Sequence, residues 1–543
     1  MRSRAFVAAA VLGGALVSGG WLLQRGLERG DSVYSRARLF DDVFTRVATL
    51  YVDSLPRDDL YAKAVAGMLD ELGDPYSVFL VPERLSKLNE NTSGTYGGLG
   101  IQIDVRDGFI IVIAPLPGTP AERAGIQSGD RIITIDGRPT EGLTADEAMN
   151  ALRGRRGTRV ALLVERPGVT ERLPFLITRA EIRNHPVRYS MMLDEGVGYV
   201  DVRLFSEATA EELRDAVTRL RDRGMRTLIM DLRSNPGGLL EQGIAVSDLF
   251  LDRGQRVVSM KGRAYGATRE FRDGAPQPWP DLPIVVLVNE HSASASEIVA
   301  GALQDHDRAL IIGQTTYGKG SAQSVYHLGE DGALKLTTAR WYTPVGRSIQ
   351  KELSDTSSGD DDDDEDSAEE DGQEPLANRK PFRTDGGRVV YGSGGITPDL
   401  FVAPQPIVTD GTLWRALGSD IPRFRDAITD YAVAVKVTGR IRSRDFSVTP
   451  DMREELWQRL QQRGITVSRT TYDSAHATIN RLLGNEISRY VFGPEAEYRR
   501  QIREDRMIAT ALELAANRPS QSELFRRAAE RREAKREDAP ADQ

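Results

Sequence analysis

The chain has 543 residues, with 71 basic and 80 acidic side chains, five histidines and no cysteine; that is too long for one compact core and predicts about two to four domains. Disulfides and Cys-ligated metals are excluded, and no His/Asp/Glu cluster has metal-ligand spacing, so neither a metal nor an organic cofactor is expected. The negative balance is local: twelve acidic side chains and no basic one lie between Asp355 and Glu374, which leaves no charge bias toward nucleic acid in the rest. At the N-terminus, Arg2 and Arg4 precede a run without charge from Ala5 to Leu23. Residues 1–25 therefore read as a signal peptide or membrane anchor. The run's length and the lack of an A-x-A cleavage site favour an uncleaved anchor in the inner membrane. The remainder is then expected in the periplasm or another extracytoplasmic space.

Residues 34–92 show helical periodicity, with Phe40, Val43, Phe44 and Val47 on one face. A Gly-rich turn, Tyr96-Gly97-Gly98-Leu99-Gly100-Ile101, then leads into an alternating strand. Next come Ala124-Gly125-Ile126 and Gly129-Asp130-Arg131-Ile132-Ile133-Thr134-Ile135-Asp136-Gly137. This order resembles a PDZ domain over residues 94–178. The resemblance implies that Gly98, Leu99, Gly100 and Ile101 form a loop holding the free carboxylate of a peptide, whose tail adds as a strand to a sheet edge.

From residue 179 strands and helices alternate, which predicts an α/β core. Val197–Leu204 reads as a strand and Ser206–Arg223 as an amphipathic helix. Thr227–Arg233 reads as a buried strand running into Ser234-Asn235-Pro236-Gly237-Gly238, with a helix at Glu241–Phe250. Two glycines at a strand end let backbone N–H groups approach a ligand, as an oxyanion hole requires. The apolar run Ile284–Val288 is a further strand, and it breaks into a row of small residues holding Ser292, Ser294 and Ser296 before a helix. A strand-to-helix turn exposes a side chain beside free N–H groups, a place suited to a nucleophile. Twenty-five residues after Ser294 comes Lys319, in a glycine turn behind the apolar run Ala309–Ile312. A serine needs a base to remove its proton. A lysine can act as one when burial holds it neutral, with a pKa of about 7–8. His291 is the alternative base, and on composition Ser292 and Ser296 are alternative nucleophiles.

The block SASASEIVAGALQDHDRALIIGQTTYGKGSAQ, with D-L-R-x-N-P-G-G-L-L before it, resembles the C-terminal processing peptidases, tail-specific Ser/Lys proteases that carry a PDZ domain. The resemblance implies Ser294 as nucleophile, Lys319 as base, Gln323 as a residue holding the lysine, and Asp305 as an accessory carboxylate. It also implies an oxyanion hole made by Gly237 or Gly238 with Ala295. Asp74-Pro75-Tyr76-Ser77 departs from the family's D-P-H-S at Tyr76, outside the catalytic motifs.

The match breaks at the acidic tract 354–375, which reads as an insertion in a surface loop of a core spanning 179–404, and resumes at Gly394-Gly395-Ile396-Thr397-Pro398-Asp399. Residues 405–518 read as a C-terminal helical extension with spans at Leu413–Val437, Met452–Arg463, Ser474–Val491 and Pro494–Ala516, and 519–543 as a charged tail. The expected fold is a multidomain α/β chain: a crotonase-like protease core with an inserted PDZ domain between N-terminal and C-terminal helical segments. The expected function is a serine endopeptidase that selects exported proteins by free apolar C-termini, with a delivering adaptor and a homodimer as expected partners. Two rivals are a non-catalytic PDZ scaffold and a thioester lyase or hydratase using the glycine turn for an enolate.

Overall fold

The structure is a computed structural model and describes residues 33–106, 108–166, 169–329, 332–351, 379–403 and 411–537. The expected leader or anchor at 1–25 and the acidic tract at 354–375 lie outside the described residues. Among the described residues no helix is long and apolar enough to cross a membrane. The chain divides into two units, Met1–Pro82 with Gln323–Thr337, and Glu83–Ala322 with Thr338–Gln543.

In the smaller unit, helices Val33–Leu50 and Arg57–Asp70 meet where the Phe44 ring stacks on Tyr61 at 4.0 Å. The strand Val78–Leu80 interrupts the helical pattern and pairs antiparallel with residues 333–335. The Asp74-Pro75-Tyr76-Ser77 segment is a structural turn: the Asp74 carboxylate accepts from the Tyr76 N–H at 3.1 Å, and Ser77 Oγ accepts from the Thr337 N–H at 3.0 Å.

The larger unit is built on a six-stranded sheet: β1 (Val187–Asp194), β2 (Val197–Val202), β3 (Thr227–Asp231), β4 (Ile284–Val288), β5 (Leu310–Gly313) and β6 (Leu400–Phe401), hydrogen-bonded in that order. Only the β1–β2 pair is antiparallel. Every residue of β2 to β5 is buried, as a parallel sheet covered on both faces demands. Side chains alternate between those faces. On one, Val200, Leu228, Met230, Val286 and Ile311 pack against helices α1 (Thr209–Asp222), α2 (Leu240–Asp248) and α3 (Ala295–Asp305).

On the other face, Tyr199, Ile229, Val285, Leu287, Leu310 and Ile312 pack against α4 (Pro494–Ile502), α5 (Arg506–Ala515) and α6 (Gln521–Glu537). The sequence places these last helices in a C-terminal extension with its own core; they instead complete the α/β layer structure. A fully buried aliphatic side chain is worth about 1.5–3 kcal/mol. Uncovering this set would cost on the order of 10 kcal/mol, as much as a whole domain's stability. The extension's own core is formed by Gly411–Leu417, Ile421–Thr438, Pro450–Gln462, Arg469–Ser474 and His476–Phe492. The span expected at Leu413–Val437 is broken at Gly418–Asp420, before Pro422. The charged tail is helical to Glu537.

The PDZ-like segment is a sheet in the order Ile101–Arg106, Phe109–Pro115, Arg131–Ile135, Arg159–Glu165, Leu173–Thr178, around a core that includes Ile110, Val112, Ile132 and Val160. Its first strand lies at the sheet edge, beside helix Ala145–Leu152, which opens with a Thr144/Glu147 capping box. A ribbon of Thr95–Gly98 with Ala180–Arg183 closes the base of the domain, beyond the boundary at 178 read from the sequence.

Candidate active site

Strand β4 ends at Val288, and the chain turns through Asn289 to Ala293 into α3. Ser294 is the residue before that helix and has φ +56° and ψ −113°. Such a backbone costs about 1–3 kcal/mol for a residue with a side chain and persists only where its surroundings over-determine it. Here they do. The Ser292 hydroxyl donates to Leu232 O at 2.8 Å, the Ser296 hydroxyl to Asn235 O at 2.9 Å, and the Ala293 N–H to the same carbonyl at 3.0 Å. Both flanking serines are fully buried and tied to the main chain, whereas Ser294 is partly exposed.

Glu297, one turn into α3, joins the serine to the lysine loop. Its carboxylate is wholly buried and accepts four hydrogen bonds: Thr316 Oγ1 at 2.6 Å and the Gly318 N–H at 2.7 Å on Oε1, the Ser294 N–H at 2.8 Å and the Lys319 N–H at 2.9 Å on Oε2. The Ser294 and Lys319 amides thus lie within two hydrogen-bond lengths of each other. Burial pushes the Glu297 carboxyl up to about 7, against the pull of these donors. Sequence reasoning missed this residue. The S-x-x-E spacing of a capping box at the start of a helix was the signal that could have found it. Lys319 is half-buried, and its carbonyl accepts from the buried Trp341 indole at 3.1 Å. The Lys351 N–H donates to Gly318 O at 2.9 Å, which fixes the turn from its other side.

The turn after β3 stands against Ser294. Gly237 has φ +90°, and a Cβ there would fall 2.6 Å from Ala293 O and 2.8 Å from both Ala295 N and Ser294 Cβ. Only glycine fits so close to the serine. The Gly237 N–H donates to Asn235 Oδ1 at 2.9 Å. A Cβ on Gly238 would instead meet Phe205 O at 2.1 Å. Ala295 opens α3, where a helix has N–H groups without intrahelical partners.

The other expected residues are spread more widely. Asp305 lies at the far end of α3, in a fully buried ion pair with Arg347 at 2.7 Å, and accepts from the Val345 N–H at 3.1 Å. Gln323 belongs to the smaller unit, where its amide donates to Thr337 Oγ1 at 3.2 Å. His291 is exposed, with Glu290 3.6 Å from its ring. In the PDZ-like segment Leu99 is buried; its carbonyl accepts from the Ala121 N–H at 3.0 Å and that of Gly100 from the Leu116 N–H at 2.8 Å. Both carbonyls are thus turned into the domain, and Gly98 is paired with Ala180 in the ribbon. Among the described residues no group of three or more His, Asp or Glu could hold a metal ion.

Comparison with known proteins assigns the family. Residues 196–357 match the model of peptidase family S41, and residues 88–165 match the PDZ domain. The carboxy-terminal-processing protease of Bartonella bacilliformis is 42% identical over 324 residues, which cover 59% of this chain and 74% of that one. The carboxy-terminal processing protease CtpA of Bacillus subtilis is 36% identical over 329 residues, 61% of this chain and 69% of its own. Among solved structures, a photosystem II D1 C-terminal processing protease is 32% identical, with a TM-score of 0.34 over 56% of this chain and 83% of that one. The chain belongs to the carboxy-terminal processing proteases of peptidase family S41.

Proposed function

We propose that the protein is an extracytoplasmic serine endopeptidase in which Ser294 is the nucleophile and Lys319 the general base. The observation that carries this reading is the Glu297 carboxylate, which binds the backbone of both residues with one oxygen. Neutral Lys319 takes the Ser294 proton as Oγ attacks the scissile carbonyl. The oxyanion develops beside the Ala295 N–H and the Gly237–Gly238 turn; its collapse breaks the C–N bond as Lys319 gives the proton to the departing amine, and water, deprotonated in turn by Lys319, resolves the acyl-enzyme. The Gly98–Ile101 loop holds the carboxylate of a substrate tail, and the edge strand Ile101–Arg106 pairs with the residues before it.

The chain is held at the inner membrane by its N-terminal segment, receives some substrates through an adaptor and works as a homodimer. Self-association is supported by Leu39, Phe40, Val43, Val47 and Leu50, all exposed on helix Val33–Leu50. The test is cleavage of an unfolded reporter with an apolar C-terminal tail. Ser294→Ala and Lys319→Ala should each abolish it while leaving the melting temperature in place. Full activity in either variant refutes the dyad.

A further inference from the structure

The turn that stands against Ser294 begins at Arg233, and this arginine is held from two directions. Its Nε and Nη2 donate to the Asp231 carboxylate at 2.9 and 2.6 Å, and its Nη1 donates to Asp505 Oδ2 at 2.6 Å. Burial alone would push the Asp231 carboxyl up, but the Arg233 guanidinium holds it below the usual carboxylate range. Asp505 lies well outside residues 196–357, which match the peptidase model. Its other oxygen, Oδ1, caps α5 by accepting from the Met507 and Ile508 N–H groups at 2.9 and 3.0 Å. One carboxylate therefore bonds both to the helix that covers the sheet and to the residue that opens the turn. A second tie arrives at the same place: Tyr498 of α4 meets the Tyr199 hydroxyl at 2.5 Å, and Tyr199 donates to Asp231 at 2.7 Å.

The segment so held is strained. Ser234 has φ +55° and Gly237 φ +90°. Ser234 is braced on its far side by Asn289, whose Oδ1 accepts from the Ser234 N–H at 2.7 Å. A strained non-glycine residue keeps its conformation only while its anchors hold, and α5 supplies one of them. We propose that Asp505 is a positioning residue for the protease reaction: through Arg233 it sets the oxyanion turn, so that docking of the C-terminal helices is a condition of catalysis as well as of stability. This inference rests on the reading of Ser294 as the nucleophile.

The test uses the full chain and a fluorophosphonate probe, whose phosphoryl oxygen must enter the oxyanion site as the serine is labelled. Asp505→Ser keeps a good helix cap and removes the contact with Arg233. Its labelling rate and the kcat for the tailed reporter should fall about 10-fold, the scale expected when a reacting group is displaced by a fraction of an ångström. KM and melting temperature should stay near the wild-type values. In an Arg233→Gln background the same substitution should cause no further loss. Labelling of Asp505→Ser at the wild-type rate overturns the inference, and so do losses that add in the double variant, because Asp505 would then act independently of Arg233. Should Asp505→Ser fail to fold, Asp505→Asn carries the same comparison. Probe attached in the wild type to a residue other than Ser294 would refute the dyad itself, a result distinguishable from either.

Discussion

Replacing Glu297 by glutamine separates the two things its carboxylate does. In the wild type it accepts four hydrogen bonds in a fully buried position. A glutamine amide presents one oxygen and one NH2 group, so two of the four donors face another donor. Leaving a buried donor unsatisfied costs about 1–3 kcal/mol, or about 2–6 kcal/mol for the pair. Against this, burial raises the carboxyl from 4.5 to about 7. At about 1.4 kcal/mol per pH unit, the neutral amide is relieved of about 3 kcal/mol above pH 7. The two terms nearly cancel in stability, but the geometry is not kept: the one amide oxygen serves either the Ser294 and Lys319 N–H groups or the Thr316 and Gly318 donors, and the pair left against the NH2 group loses its anchor.

Glu297→Gln should therefore melt within a few degrees of wild type at pH 8 while its kcat on the tailed reporter falls about 100-fold. Stability should show the linkage as well. Between pH 4.5 and about 7 the native state binds a proton on Glu297 that the unfolded chain has lost. Stability from this group therefore falls as pH rises through that window, and Glu297→Gln should lack that component of the slope in denaturant titrations. A variant that kept more than half of wild-type kcat would refute the argument that this carboxylate positions the pair.

Three further outcomes follow from the geometry. Gly237→Ala would put a Cβ 2.6 Å from Ala293 O, and Ser294 labelling by a fluorophosphonate should drop by about 100-fold or more; unchanged labelling would remove the turn from the site. Asp305→Asn breaks a fully buried ion pair with Arg347, which costs about 3–5 kcal/mol. Its activity loss should follow the melting curve, whereas turnover lost at temperatures where the fold is intact would mark a direct role in catalysis. In Ser294→Ala protein, fluorescence anisotropy should show a tailed peptide binding about 10-fold or more weaker once its C-terminus is amidated, because a charge-assisted hydrogen bond contributes about 1.5–3 kcal/mol. Equal binding would rule out carboxylate capture by the Gly98–Ile101 loop.

The strands of the core were legible because burial on both faces writes itself as unbroken apolar runs, as in Ile284–Val288 and Thr227–Asp231. The serine and lysine turns were legible because small residues and glycines punctuate those runs. Glu297 was hidden in the same block, since a glutamate one turn into a helix is ordinarily solvated. Its burial arises from Thr316, Gly318 and Lys319 folding back over it, a non-local event. The separate roles of Gly237 and Gly238 depend on which neighbour each backbone meets, Ser294 or Phe205, and adjacent identical residues cannot express that. Met507, Ile508, Ala511 and Leu514 declared an apolar helix face but not its partner. Helices α1 to α3 suffice for only one side of a parallel sheet, and that deficit was the available clue to the other.

The cover over the second face of the sheet fixes the order in which this enzyme can come into being. The Gln521 side chain bonds the backbone of Ile284 across 237 residues of chain. Tyr199, Ile229 and Val285 therefore leave the ribosome long before Met507 or Leu524 can close over them. Loop closure over such separations is entropically slow, and in the interval the nascent chain carries an open apolar sheet of the kind that aggregates. A product stopped short of α4 would be an incomplete globule in need of a chaperone, not a smaller protease. Under the role proposed for Asp505, hydrolytic competence waits until α5 has docked and its bond to Arg233 has formed.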